Sequence, residues 1–413
     1  MDHGTARGTG SGVGVVDVTA LGESMVTFLP SRPGRLADVP SFERGIGGAE
    51  SNVACALAAA GHTTRWVSRV GTDGFGDHLV ETIGGYGVDV SAVRRDPARP
   101  TGVYFRTAGD RADDGHEVAY YRAGSAASAM AVGNVDLAAV RAARVLHLSG
   151  ITAALSEDCH ALLRELTAPG PDRPLVSFDI NFRPSLWRDA GGRRVLLDLA
   201  RRADVVFVGA DEAAAAWGVE GGPEAVRDVL PEPRTLVVKQ GAEGATLFER
   251  PEAQSTPSGP SAPSAPYAPS GPVAGRGSVV AGRAVPRAPF RGATDAPTAT
   301  DAPTTTDGTL TDDTITHAPA LHVDVVAPVG AGDAFAAGFL SATLRGLPAR
   351  ARLRHGHLMA AAVLTVPGDL GTPPTRDHAD RLADLDDGTW GTLRLGPGWT
   401  TAATRADEEV QQP

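Results

Sequence analysis

Short apolar runs alternate along the chain with longer segments whose apolar residues recur at helical spacing. The runs Val16–Leu21, Thr64–Val70, Val145–Leu148, Leu175–Asp179, Val205–Val208 and Leu236–Val238 predict buried strands. Between them Ser51–Ala60, Gly76–Tyr86, Glu157–Leu166, Gly192–Arg201, Asp211–Trp217 and Pro223–Leu230 read as helices. Strand, helix and strand in succession imply βαβ crossovers, and hence an α/β fold with a mostly parallel sheet covered by helices on both faces. A second texture occurs at Gly102–Arg106 and Glu117–Arg122, where Tyr, Val and Phe alternate with polar residues as in half-exposed antiparallel strands. These segments fall between crossover units. They predict a separate small sheet, a lid over the strand ends, with strands within residues 23–45 and 100–125.

Composition breaks the alternation once. An insert is expected at 249–319, where the stretch 251–319 holds 12 of the 31 prolines. Sequences such as SGPSAPSAPYAPSGP cannot bury enough apolar surface to offset chain entropy, so the insert is predicted to be disordered. A docking or regulatory segment is the alternative to a tolerated surface loop, which closure entropy penalises only slowly with length. Residues 1–15 and 396–413 read as tails, leaving one domain built from 16–248 and 320–395.

Charge narrows the function classes. Among 413 residues, 38 are Lys or Arg and 49 Asp or Glu, a net charge of −11 that argues against a general nucleic-acid binder. Lys239 is the single lysine. It fits neither a phosphate-binding G-x-x-x-x-G-K-[ST] loop nor the lysine of a protein kinase, so backbone amides and arginines would have to handle any phosphate. Cys55 and Cys159 make no disulfide framework and have no metal-ligand spacing, so no protein metal site is read. No apolar stretch approaches the ~18 residues of a membrane span. The start, MDHGTARGTGSGVG, lacks a signal-peptide core. A cytoplasmic protein is expected.

Three clusters carry candidate chemistry. Gly330-Ala331-Gly332-Asp333 feeds a helix running to about Leu344. Glycines there let successive N–H groups converge beside the positive end of the helix dipole, which holds developing phosphate charge without lysine. Asp333 could accept a proton from an attacking hydroxyl, or simply cap the helix. Gly45 to Ala54 places Gly48 and Asn52 at a second helix start, where a polar ligand can approach the backbone. The third cluster, Ser177 to Pro184, runs a buried strand into Asp179, Asn181 and Arg183 at the end where parallel sheets bind ligands. Arg183 suits a carboxylate or phosphate, or else an Asp179–Arg183 structural pair. The lid offers Tyr104, Arg106, Tyr120, Tyr121 and Arg122, which can enclose a small anionic sugar or be strand filling. Lys239 begins the turn to Gly244 and could reach a phosphate or be solvated.

Together these elements resemble the phosphofructokinase B (PfkB) family of sugar kinases, with its ribokinase-like fold. The resemblance spans residues 16–248 and 320–390 and rests on Gly47 to Asn52 and Gly330 to Asp333. Further stretches look like the 2-keto-3-deoxygluconate kinases within it: Ala20-Leu21-Gly22-Glu23, Gly47-Gly48-Ala49-Glu50, Thr101-Gly102-Val103-Tyr104, Tyr120 to Ala126, His147 to Thr152 and Asp179 to Pro184. The resemblance implies Asp333 as general base and Gly330, Ala331 and Gly332 as anion hole. It implies Gly48, Asn52, Tyr104, Tyr120, Arg122, Arg183 and Asp369 as substrate positions. Asn181, Arg183, Lys239, Gly241 and Gly244, with Gly330 and Gly332, would lie toward ATP, and Mg2+ would arrive with ATP. A homo-oligomer is an associated expectation. The family's second signature opens with Asp-Thr or Asp-Pro, whereas this chain has Ala327-Pro328; its Asn-x-x-Glu motif appears as Gly209-Ala210-Asp211-Glu212. The expected reaction is phosphorylation of a primary hydroxyl of a sugar acid. The alternatives are a kinase of fructose, ribose or a nucleoside, and a non-catalytic sugar sensor on the same fold.

Overall fold

The structure is a computed structural model that describes residues 14–107, 117–171, 173–187, 190–251 and 313–401. The chain divides into one unit of residues 1–251 and 313–413 and a second of residues 252–312, which lies outside the described residues. An eight-stranded sheet runs through the first unit in the order Thr314–Ala318, Ala245–Glu249, Thr235–Lys239, Val205–Gly209, Leu175–Asp179, Ala143–Ser149, Val16–Leu21 and Thr64–Val67. Six neighbouring strands are parallel, and the two at the Thr314 edge are antiparallel. The central strands Val205–Gly209 and Thr235–Lys239 are buried on both faces, which is why they read as apolar runs.

Helix Ala331–Leu344 lies against the middle of this sheet, with Phe335 and Phe339 meeting Phe207 edge-on at 6.5 and 5.4 Å. Burying rings of this size stabilises by ~1.5–3 kcal/mol each. Gly338 lets helix Ala349–Leu364 cross closely, since a Cβ there would meet the His355 backbone and Met359. The helix start is thereby fixed at the carboxyl ends of the strands. The expected lid is a four-stranded sheet in the order Phe42–Gly47, Met25–Pro30, Val103–Arg106 and Val118–Tyr121. Its outer pairs are antiparallel, while Met25–Pro30 and Val103–Arg106 run parallel. Alternation sorts the aromatics: Tyr104 and Tyr120 pair at 5.5 Å, and Phe105 pairs with Tyr121 at 6.0 Å.

Three expectations need correction. The run Thr64–Val70 is two strands: Thr64–Val67 joins the main sheet, and Arg69–Gly71 pairs with Arg94–Asp96. An apolar run cannot show that its pairing partner changes midway. Thr314–Ala318 falls within the expected insert yet forms the edge strand, aligned from Glu249↔Thr314 to Ala245↔Ala318. The surrounding prolines masked five strand-compatible residues. Trp399, assigned to the C-terminal tail, is 4% exposed and packs with Trp390 and Leu395. The rest of the insert and residues 402–413 lie outside the described residues.

Candidate active site

The glycine loop before helix Ala331–Leu344 folds as its sequence demands. Gly330 adopts φ 81°, and a Cβ there would overlap the Asp369 carbonyl oxygen and sit 3.1 Å from its carbon. Only glycine satisfies both requirements. Asp333 follows in the first turn, and two amides converge on its carboxylate. Asn52 Nδ2 donates to Oδ2 at 2.9 Å and Asn181 Nδ2 to Oδ1 at 3.4 Å. Burial pushes the Asp333 carboxyl up to about 7; the Asn52 hydrogen bond opposes this and the nearby Asp179 charge adds to it. A buried carboxylate at a helix start, poised near neutrality, is equipped to take a proton. Asn181, expected toward ATP, thus hydrogen-bonds the candidate base. It is also the one non-glycine residue with positive φ, 43°, among those described.

The expected Asp179–Arg183 alternative does not form. Asp179 instead accepts from Lys239 Nζ at 3.0 and 3.3 Å, and Arg183 pairs with Glu212 at 3.6 Å while donating to the Phe182 carbonyl. Lys239 is thus neither solvated nor incidental: its side chain is 19% exposed, and its Nζ lies 3.5 Å from where a Cβ on Gly332 would stand. Burial works against its charge, but Asp179 and Glu212 outweigh that and raise its pKa.

On the lid side, Tyr104 Oη donates to Asp369 Oδ2 at 2.9 Å and Arg106 Nη2 donates to Oδ1 at 3.1 Å. Gly47 borders this cluster, where a Cβ would lie 2.7 Å from Asp369 Oδ2 and overlap the Tyr104 hydroxyl. Gly48 is needed for a close backbone approach: a Cβ would meet the Glu23 carbonyl oxygen at 2.5 Å and Ser24 Cα at 2.8 Å. Arg122 forms a short ion pair with Glu23, whose Oε1 also accepts from Ser125 Oγ at 2.5 Å. Tyr120, 46% exposed, sits at the rim beneath the Arg122 guanidinium. Sequence reasoning missed the pairings of Glu23 and Arg106, and also Glu50, a buried carboxylate held by Ser149 and Thr152 at 2.8 and 2.6 Å. Glu23 and Glu50 lie within stretches that carry the family resemblance, and Arg106 follows the apolar run Val103 to Phe105, which are the signals the sequence offered for them.

A family model described as pfkB family carbohydrate kinase matches residues 16–263 and 306–376. The chain belongs to that family. It is therefore a carbohydrate kinase, a phosphotransferase with an alcohol acceptor. It is 37% identical to the 2-dehydro-3-deoxygluconokinase of Thermoproteus tenax over 57% of this chain and 72% of that protein. With the 2-dehydro-3-deoxygluconokinase of Bacillus subtilis it shares 30% identity over 88% and 94% of the two chains. Fructokinase-2 of Zea mays is also similar, 32% identical over 58% of this chain and 72% of the other. Among solved structures, a PfkB protein from Polaromonas sp. JS666 superposes with TM-score 0.64 at 31% identity, covering 88% of this chain and 99% of that one.

The helix start is led by a glycine-shaped loop with an ammonium beside it, an arrangement suited to an anion. The Gly241–Glu243 turn beyond Lys239 has φ 58° at Gly241. Gly244, with φ 129°, has no room for a Cβ because the Ala318 backbone lies against it. The edge strand therefore packs directly against the end of that turn. Among the described residues no group of three or more His, Cys, Asp or Glu could hold a metal ion, and no helix is long and apolar enough to cross a membrane.

Proposed function

We propose that this carbohydrate kinase uses ATP to phosphorylate the primary hydroxyl of 2-dehydro-3-deoxygluconate, giving the 6-phosphate. The observation that carries the reading is Asp333, held between Asn52 and Asn181 at the start of a helix and raised to about 7. ATP, arriving with Mg2+, supplies the phosphoryl group. Asp333 takes the hydroxyl proton as the new O–P bond forms and the bond from the γ-phosphorus to the bridging oxygen breaks, with ADP as the leaving group. The Gly330–Gly332 loop and Lys239 place positive partial and full charge where the transferred group's negative charge develops. Arg183 and Arg122 supply the guanidinium groups that a sugar carboxylate would pair with, and two relatives carry the 2-dehydro-3-deoxygluconokinase name.

One observation favours a neutral acceptor instead. Arg122 is already neutralised by Glu23, and fructokinases lie among the relatives. A coupled assay of ADP release across keto-deoxy sugar acids, fructose, ribose and nucleosides, with product mass determined, decides between them. Phosphorylation of neutral sugars alone would overturn the sugar-acid reading; no phosphorylated product from any acceptor would overturn the kinase reading.

A further inference from the structure

Asp179 makes more connections than a structural acid at a strand end requires. It is 2% exposed and ends strand Leu175–Asp179, yet its partner Lys239 ends Thr235–Lys239, with Val205–Gly209 between them. In register, Asp179 aligns with Phe207 and Lys239 with Gly209. The lysine therefore reaches back across the middle strand at a glycine. Both Asp179 oxygens receive its ammonium. Oδ1 also accepts from the Asn181 backbone N–H at 3.2 Å. That local bond is the kind by which an Asp organises a chain reversal two residues on, and it closes on Asn181, the residue held at φ 43°. The left-handed conformation in turn presents the Asn181 amide to Asp333.

We propose that Asp179 is the positioning residue of the phosphoryl-transfer site: one carboxylate holds Lys239 beside the Gly332 end of the catalytic helix and fixes the Asn181 turn that reaches Asp333. The proposal rests on the kinase reading above. Two arms of the site, one facing the donor phosphate and one facing the base, are set from a single buried group. The charged and titratable groups surrounding it are Lys239, Glu212 from helix Ala210–Trp217, Arg183, Asp333, and His147 of the adjoining strand, whose Nδ1 lies 3.0 Å from Ser177 Oγ. His147 is held neutral by burial, its pKa lowered to about 4, so it adds no charge near pH 7.

The test compares full-length Asp179→Asn, Lys239→Met and the double variant with wild type, using whichever acceptor wild type phosphorylates best. Asp179→Asn is expected to lower kcat by about 10²-fold, the scale of a 1 Å misplacement of reacting groups. KM for ATP rises, while KM for the sugar stays within about twofold. The double variant falls no further than the worse single one, because both remove the same arm. The acid limb of kcat separates positioning from folding. Losing the Asp179 charge moves it down by about 1 pH unit, and losing the Lys239 charge moves it up. Additive losses, an unmoved limb or a near-wild-type kcat would overturn the proposal. If circular dichroism shows Asp179→Asn misfolded, Lys239→Met alone decides: an upward limb and a lowered kcat support it, a wild-type profile overturns it. If wild type phosphorylates nothing, the kinase reading fails separately. Calorimetry with MgATP then decides, tenfold weaker binding by Asp179→Asn supporting the proposal and unchanged binding overturning it.

Discussion

Gly330→Ala tests whether the loop geometry, more than its charge, carries activity. Two costs can be worked from the structure. The left-handed backbone at φ 81° penalises any residue with a Cβ by ~1–2 kcal/mol. The Cβ also overlaps the Asp369 carbonyl oxygen, and restoring ordinary contact takes a shift of about 1 Å in one of the two backbones. Asp369 is tied to Tyr104 and Arg106, so the helix start is the side that yields, and Asp333 moves with it. Displacement on that scale costs on the order of 10²-fold in kcat. Gly346→Ala is the control: its φ is 72°, but a Cβ there meets nothing within 4 Å. Gly346→Ala should lose about 1–2 kcal/mol of stability, a drop of a few degrees in Tm, and Gly330→Ala that much plus the cost of the overlap. Gly330→Ala alone should lose turnover in the coupled assay. Equal kcat in the two variants would refute the assignment of the loop's role to geometry.

Three further outcomes are expected. With its base near 7, kcat/KM should rise with pH, falling at pH 6 to about a tenth of its plateau because the carboxyl is then protonated; Asp333→Asn should abolish turnover yet keep sugar binding by calorimetry. Arg183→Ala, which breaks a 3.6 Å pair to Glu212 and a bond to the neighbouring Phe182 carbonyl at a side chain 29% exposed, should raise KM for sugar acids about tenfold or more and leave neutral sugars unchanged; equal effects on both would remove Arg183 from carboxylate recognition. Replacing residues 252–312 by a two-residue Asn-Gly turn should leave a folded, active enzyme, since Glu249 and Thr314 are already paired across the gap; an insoluble product or a lost ATP KM would show that the segment serves the site.

The sheet and the Gly330–Asp333 turn at the start of its helix were legible because their signals are local. Val205–Val208 is a continuous apolar run, and Gly330 to Asp333 is a turn and helix start within four residues. The charge pairings were not legible. Lys239 and Asp179 are 60 residues apart, and their contact depends on which strand lies between them, a fact of sheet order that periodicity cannot supply. An Asp179–Arg183 pair stood as the structural alternative to a ligand role for Arg183, but the reversal at Asn181 turns the chain away and leaves Arg183 to Glu212. Arg122 is expected to face the substrate; its pairing to Glu23 joins the lid to the segment just after the first strand, a contact between residues distant in sequence. Strand Thr314–Ala318 was lost because composition was judged over a window far longer than the strand.

Lys239 has a practical consequence for labelling. A chain with one lysine offers amine-directed reagents a single side chain, and here that side chain sits inside the site, ion-paired and only 19% exposed. Its rate of acylation becomes an occupancy probe without any engineered reporter. Bound nucleotide should protect it, while a variant that frees the ammonium should expose it, and mass spectrometry of one tryptic peptide would report both.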